Sequence, residues 1–246
     1  MYNYLIKIEY DGTNYVGWQS QKNGKSVQQS IETALKKIFK IKIKIIGAGR
    51  TDKGVHALSQ FAHFKIKNKV ENKKKFLDSI NFFLKNKMIS ILDITKKNEN
   101  FHARYDAKLR TYEYLIINRL GTLSINQNKA WHVKKKIDLK LMKKGALMLK
   151  GTHDFSTFRA SSCSAKTPIK KIRKIKISKN KDFIRIKITS KSFLQNQVRS
   201  IVGSLKYLST HKWSLADFKN AFQSKKRDNC APPAPAQGLY LSNIEY

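Results

Sequence analysis

The spacing of apolar residues changes period many times along this chain, and each change marks a separate element. From Tyr2 to Tyr10 large residues fall at every second position (Tyr2, Tyr4, Ile6, Ile8, Tyr10), with Asn3, Lys7 and Glu9 facing the other way. A period of two predicts a half-buried strand, and Asp11-Gly12 supplies the turn that ends it. Ser26 then offers an N-cap with Gln29 three residues on, a capping-box pattern, and Val27, Ile31, Leu35, Ile38 and Phe39 follow at helical spacing. Further along, the pattern predicts strands over 41–46 and 57–64, a helix carrying Phe76, Leu77, Ile80, Phe83 and Leu84, and a strand over 88–94.

The polar run Lys96-Lys97-Asn98-Glu99-Asn100 is the best candidate boundary, and beyond it the same vocabulary recurs. A strand is expected over 109–117 and a helix over 138–149. A hairpin of 169–177 and 183–189 turns at Lys179-Asn180-Lys181-Asp182. A helix carries Leu194, Val198, Ile201, Val202, Leu205 and Leu208, a short one is capped by Ser214, and a last strand covers 239–246. Strands that come as hairpins, with helices singly between them, predict an α+β protein. Its two sheet-and-helix lobes, with largely antiparallel strands, are expected over residues 1–104 and 105–246.

A chain of 246 residues with 41% hydrophobic content is long and apolar enough to build such cores. Its formal net charge of +35 repels itself and attracts polyanions, of which nucleic acid is the commonest. Part of that excess reads as coding bias, since Lys far outnumbers Arg and Ile and Asn are abundant too. The two cysteines, Cys163 and Cys230, lie far apart and outside any metal-ligand spacing, which fits a reducing compartment. Charges interrupt the apolar residues from the start of the chain, so neither a signal peptide nor a membrane span is expected, and the cytoplasm is.

Three segments could carry chemistry. The first is Gly47-Ala48-Gly49-Arg50-Thr51-Asp52-Lys53-Gly54-Val55-His56-Ala57. Its glycines permit close backbone approach, and Arg50 and Asp52, two apart, share one side of an extended loop. A carboxylate there can act as nucleophile or base if a guanidinium keeps it ionised. By residue type alone the run also reads as a surface turn, and it is neither a dinucleotide fingerprint nor a phosphate loop. His56 by itself reads as structural. The second is Phe101-His102-Ala103-Arg104, leading to Arg110-Thr111-Tyr112-Glu113-Tyr114, where two tyrosines share a strand face and serve either as core or as a stacking surface. The third is Ser192 to Gly203, where Arg199 sits at the edge of an apolar stripe and calls for an acid or a phosphate, or else snorkels to solvent. Two smaller pieces are Gly151-Thr152-His153-Asp154-Phe155, read as an ordering loop rather than a dyad, and Ala234-Pro235-Ala236-Gln237-Gly238-Leu239.

Taken in order, these pieces resemble the tRNA pseudouridine synthase A family. The likeness runs from Tyr10-Asp11-Gly12-Thr13 and Gly17-Trp18-Gln19 through Gly49-Arg50-Thr51-Asp52, Gly54-Val55-His56-Ala57, Phe101-His102-Ala103-Arg104 and the Arg-x-Tyr-x-Tyr run. It continues to Val198-Arg199 and the late Ala-Pro-Ala run. The resemblance implies two related lobes around a central basic cleft, the pseudouridine synthase fold. It implies Asp52 as nucleophile and Tyr112 packed on the target base. It also implies Arg50 displacing the flipped nucleotide and Arg199 paired with the carboxylate. Neither a metal nor an organic cofactor is implied. The implied partner is tRNA, modified at uridines 38, 39 and 40 of the anticodon stem-loop, with the enzyme a homodimer. Lys53 stands where the family has Ala, and Gln195-Asn196-Gln197 is an unusual filling before Val198. Rival readings are a non-catalytic RNA-binding protein and a glycosidase that releases the base.

Overall fold

The structure, a computed structural model, describes every residue except Lys22. In chain order the elements are β1 (Tyr2–Tyr10), α1 (Val27–Phe39), β2 (Ile46–Gly47), β3 (His56–Ile66), α2 (Lys73–Leu84), β4 (Ile89–Lys97), β5 (Leu109–Asn118) and β6 (Trp131–Val133). There follow α3 (Leu139–Leu147), β7 (Gly151–Asp154), β8 (Ile169–Asn180), β9 (Phe183–Ser190), α4 (Gln197–Ser209), α5 (Leu215–Gln223) and β10 (Leu239–Glu245). Among the described residues no helix is long and apolar enough to cross a membrane.

The chain forms two compact units, Met1–Lys108 with Tyr240–Tyr246, and Leu109–Leu239. The expected division after residue 104 put the last strand in the second lobe. Most of that strand belongs to the first unit, because Tyr240 and Leu241 pair in parallel with His56 and Ala57 of β3. Strand order along a chain does not reveal which neighbour a terminal strand will pair with.

In the first unit β1 is central and antiparallel to both β3 and β4. One edge of β3 takes β10 near its start and β2 near its end, where Ile46 and Gly47 oppose His63 and Ala62. The strand expected over 41–46 is therefore only two residues long. Ile43 and Ile45 are buried without ladder pairing. The Ser26 hydroxyl caps α1 by accepting the Gln29 N–H, and Val27, Ile31, Ala34 and Leu35 go into the core. The polar face expected of β1 holds only in part: Glu9 is exposed and Lys7 half-buried, but the Asn3 end is covered. Asn3 is buried and donates to the carbonyls of Asn98 (3.0 Å) and Phe101 (2.9 Å), so the 98–101 segment covers it.

In the second unit β5, β9, β8 and β7 follow one another, every neighbouring pair antiparallel, and β6 runs parallel to β5. The hairpin of β8 and β9 turns over Lys181-Asp182, tighter than the four residues expected, with Lys181 at φ +51°. β7 replaces the loop expected around His153 and Asp154. The Asp154 carboxylate accepts the Ser156 N–H and His153 Nε2 meets the Lys150 carbonyl, so each is held locally rather than as a dyad. α5 carries a full capping box between Ser214 and Asp217. α4 is buried on nearly every side, with Val198, Ile201, Val202, Leu205 and Leu208 in the core. Each such side chain contributes roughly 1.5–3 kcal/mol of burial free energy.

Helix α4 also shows where packing overrides propensity. A Cβ at Gly203 would meet the Pro232 carbonyl oxygen at 2.0 Å. In an open helix Gly→Ala gains about 1 kcal/mol. Here we expect Gly203→Ala to lose about 1–3 kcal/mol, the cost of an overpacked core, and a thermal melt reads the sign directly.

Candidate active site

The Asp52 loop leaves the edge of β3 where β2 ends. The Ala48 N–H donates to the Phe61 carbonyl (2.7 Å), and the Gln60 amide donates to the Gly49 carbonyl (2.9 Å). Thr51 is buried, and its hydroxyl lies 2.7 Å from the Tyr10 hydroxyl. Its carbonyl accepts the Trp18 N–H (3.1 Å), and the Val55 N–H closes a turn on the Asp52 carbonyl (3.2 Å). Thr51 is anchored in the interior, and the residues on either side of it are more open. Arg50 is exposed and Asp52 half-buried, while Lys53 points to solvent. Gly17 makes the clamp possible. It holds φ at +122°, and a Cβ there would lie 2.6 Å from the Thr51 carbonyl oxygen.

His56 closes the loop as a brace. Its buried ring stacks on Tyr240 at 4.7 Å, and Nδ1 lies 3.0 Å from both the Gly12 N–H and an Asp11 carboxylate oxygen. Nδ1 accepts from Gly12 when it carries no proton and donates to Asp11 when it does. His63 ties the segment of Phe101-His102-Ala103-Arg104 to the same region. Its Nδ1 accepts the Ala103 N–H (3.2 Å), and its ring also hydrogen-bonds the Ile46 backbone, just before the loop. Burial holds the His63 pKa below the usual histidine value, helped by His102 and Lys65; the Ile46 bond and Asp106 act the other way.

Tyr112, Tyr114 and Arg199 all belong to the second unit. The two tyrosines share a face of β5 and differ in role. Tyr114 is core. Its hydroxyl donates to the Pro235 carbonyl (2.6 Å), and burial raises its pKa well above that of a free phenol, against the pull of nearby Arg199. Tyr112 is half-buried and takes Phe193 edge-on, ring centres 5.2 Å apart. Arg199, in the first turn of α4, donates from Nε to the Ala234 carbonyl (2.8 Å) and from Nη1 to the Asn196 side chain (3.2 Å). The guanidinium is thus fixed by a carbonyl and an amide rather than snorkelling. Asn196 does not cap the helix with its side chain; it sits at φ +61° and holds Arg199 instead.

Arg50 and Asp52 therefore stand together in one unit, and Tyr112 and Arg199 in the other. Residue-by-residue reasoning overlooked the braces Tyr10, Trp18, Gln60 and His63. Their contacts span up to tens of residues in sequence. Tyr10 and Trp18 entered the sequence reading only within the first strand and the motifs that carry the family resemblance. Among the described residues, no three His, Cys, Asp or Glu side chains gather in a way that could hold a metal.

The family model described as "tRNA pseudouridine synthase" matches residues 6–106 and 146–246. The chain belongs to that family. It is 53% identical over 246 residues to the tRNA pseudouridine synthase A of Pelagibacter ubique (strain HTCC1062), covering all of both chains. It is 41% identical to the protein so named in Maricaulis maris (strain MCS10), covering all of this chain and 98% of that one. Among solved structures, an archaeal box H/ACA Nop10–Cbf5 complex is similar at 8% identity and a TM-score of 0.36. The match covers 92% of this chain and 59% of that one, a fit too loose to add to the family assignment.

The position of His63 predicts a pH dependence of stability for this family member. The folded state disfavours the protonated ring, while the unfolded chain takes up a proton near pH 6.5. Stability should therefore be full above about pH 6.5 and fall as the pH drops from there toward the depressed folded value. Thermal melts between pH 7.5 and 5 check this, with His63→Gln expected to flatten the slope.

Proposed function

We propose that this family member isomerises uridine to pseudouridine at positions 38, 39 and 40 of the tRNA anticodon stem-loop, with Asp52 as nucleophile. The isomerisation follows from family membership. The target positions, the homodimer, the cytoplasmic location and the residue roles are inferences added to it. In the reaction the N1–C1′ glycosidic bond breaks and a C5–C1′ bond forms. The proton leaves C5 and N1 gains one. A uracil inside a stem cannot be reached, so it must be flipped out at a cost of a few kcal/mol, offset by phosphate contacts to a strongly basic protein.

The observation that carries the role of Asp52 is its loop. The backbone that carries this carboxylate is held in place before substrate arrives, next to an anchored Thr51 and in a turn fixed from two sides. Fixed geometry of that kind is what catalysis by a single side chain needs. In this reading Arg50 fills the space left by the flipped nucleotide, and Tyr112 lies against the loose uracil. The pairing of Arg199 with the carboxylate is carried over from the family resemblance.

Release of tritium from uracil C5 of tRNA reads the reaction directly. Asp52→Asn and Asp52→Ala are expected to lose at least about a thousandfold in rate with the fold intact, the scale on which an essential catalytic side chain acts; retained activity would remove Asp52 from its role. Arg199→Ala is expected to lower kcat sharply. Weaker tRNA binding at unchanged turnover would instead make Arg199 a phosphate contact. A nucleoside digest showing tight binding without any pseudouridine would favour a pure RNA binder, and free uracil would favour a glycosidase.

A further inference from the structure

The segment Phe101-His102-Ala103-Arg104-Tyr105 has one half that packs and one that does not. Ala103 is buried, its N–H bonded to His63 and its carbonyl to the Tyr246 hydroxyl (2.9 Å). Tyr105, two residues on, leaves 73% of its surface in solvent. An aromatic this exposed contributes little to a core; exposure alone needs no explanation, and what marks this ring is how it is held.

The exposed ring is nonetheless rigidly presented. It lies nearly parallel to the His102 imidazole, with centres 4.2 Å apart and planes at 29°. The His102 ring in turn meets the edge of buried His63 at 4.8 Å. The turn that carries them is closed by its own bonds. The His102 carbonyl accepts the N–H groups of Tyr105 (3.1 Å) and Asp106 (3.0 Å), and the Asp106 carboxylate accepts the His102 N–H (2.9 Å). His102 Nδ1 faces the Arg104 N–H (3.2 Å), which sets the plane of the imidazole. The result is a ladder of flat rings rooted in the core and ending at the surface. Cations flank it: Arg104 lies 5.9 Å from the Tyr105 ring centre, and Lys97 lies 5.2 Å from that of Phe101. His63 bonds the backbone of Ile46, so the ladder is rooted in the strand that leads into the Asp52 loop.

We infer that Tyr105, backed by His102, is a stacking platform for one unpaired base of the substrate tRNA. This rests on the proposed function and deepens it. A ring held in advance pays little ordering entropy on binding. A nucleobase offers the matching flat face at roughly 1–3 kcal/mol per stacked base, whatever its identity. The phosphates on either side of such a base suit the basic flanks. The platform touches the RNA and no reacting atom, so it acts on binding and positioning.

The test uses the full-length protein, with equilibrium binding of unmodified tRNA and steady-state tritium release measured side by side. Tyr105→Ala should weaken tRNA binding and raise KM about 5- to 100-fold, the stacking energy above converted at 1.4 kcal/mol per tenfold, while kcat stays within about twofold. Tyr105→Phe and Tyr105→Trp should bind as the wild type does, since both keep a flat ring. Melting temperatures should be unchanged throughout, given the exposure of the side chain. Unchanged binding in Tyr105→Ala would overturn the platform, and so would a Phe variant as weak as the Ala one. Failure of the proposed function is seen separately, as wild-type protein that binds tRNA and releases no tritium.

Discussion

The carbonyl and hydroxyl of Thr51 are the fixed point of the first unit. Trp18 donates to one and Tyr10 shares a hydrogen bond with the other, and both partners come from segments more than thirty residues earlier. A loop containing Gly47, Gly49 and Gly54 would otherwise be among the most mobile parts of the chain. Each bond contributes only about 0.5–1.5 kcal/mol net. Their effect is geometric: with the middle residue tied down, Arg50 and Asp52 have few places to go. Gly17 is small because the clamp leaves no room for a side chain there.

The second unit solves the same problem with a helix start. Arg199 is held by the Ala234 carbonyl, and the Arg199 carbonyl returns a bond to the Ala234 N–H. The segment from Pro232 to Ala236 is thus a strap across α4, close enough at Pro232 that Gly203 can carry no side chain. Tyr114, which fills the space beneath, gives its hydroxyl to the same strap at Pro235. One short irregular segment therefore positions a candidate site arginine and satisfies a buried phenol.

The segment from Asn98 to Tyr105 has two functions at once. Toward the interior its carbonyls accept from the Asn3 amide N–H groups and its Ala103 N–H donates to His63, bonds that spare about 1–3 kcal/mol for each group that would otherwise be buried without a partner. Toward solvent it presents the His102–Tyr105 stack. The interior role makes the outer one rigid, because the turn cannot shift without breaking those bonds.

The sequence by itself determined most of the element types, the caps at Ser26 and Ser214, the α+β class and, through ordered motifs, the family. Those depend on residues close in sequence, or on spacing alone. It also told apart neither Tyr112 from Tyr114 nor the two faces of β1, since a period of two says that faces differ without saying what covers each. Tertiary structure decided that Asn3 lies under the 98–101 segment, that β10 joins β3 in the first unit, and that Arg199 rests on a carbonyl. These are contacts between positions from about thirty to well over a hundred residues apart, and no local pattern of hydrophobicity or turn chemistry encodes which distant partner a polar group will find.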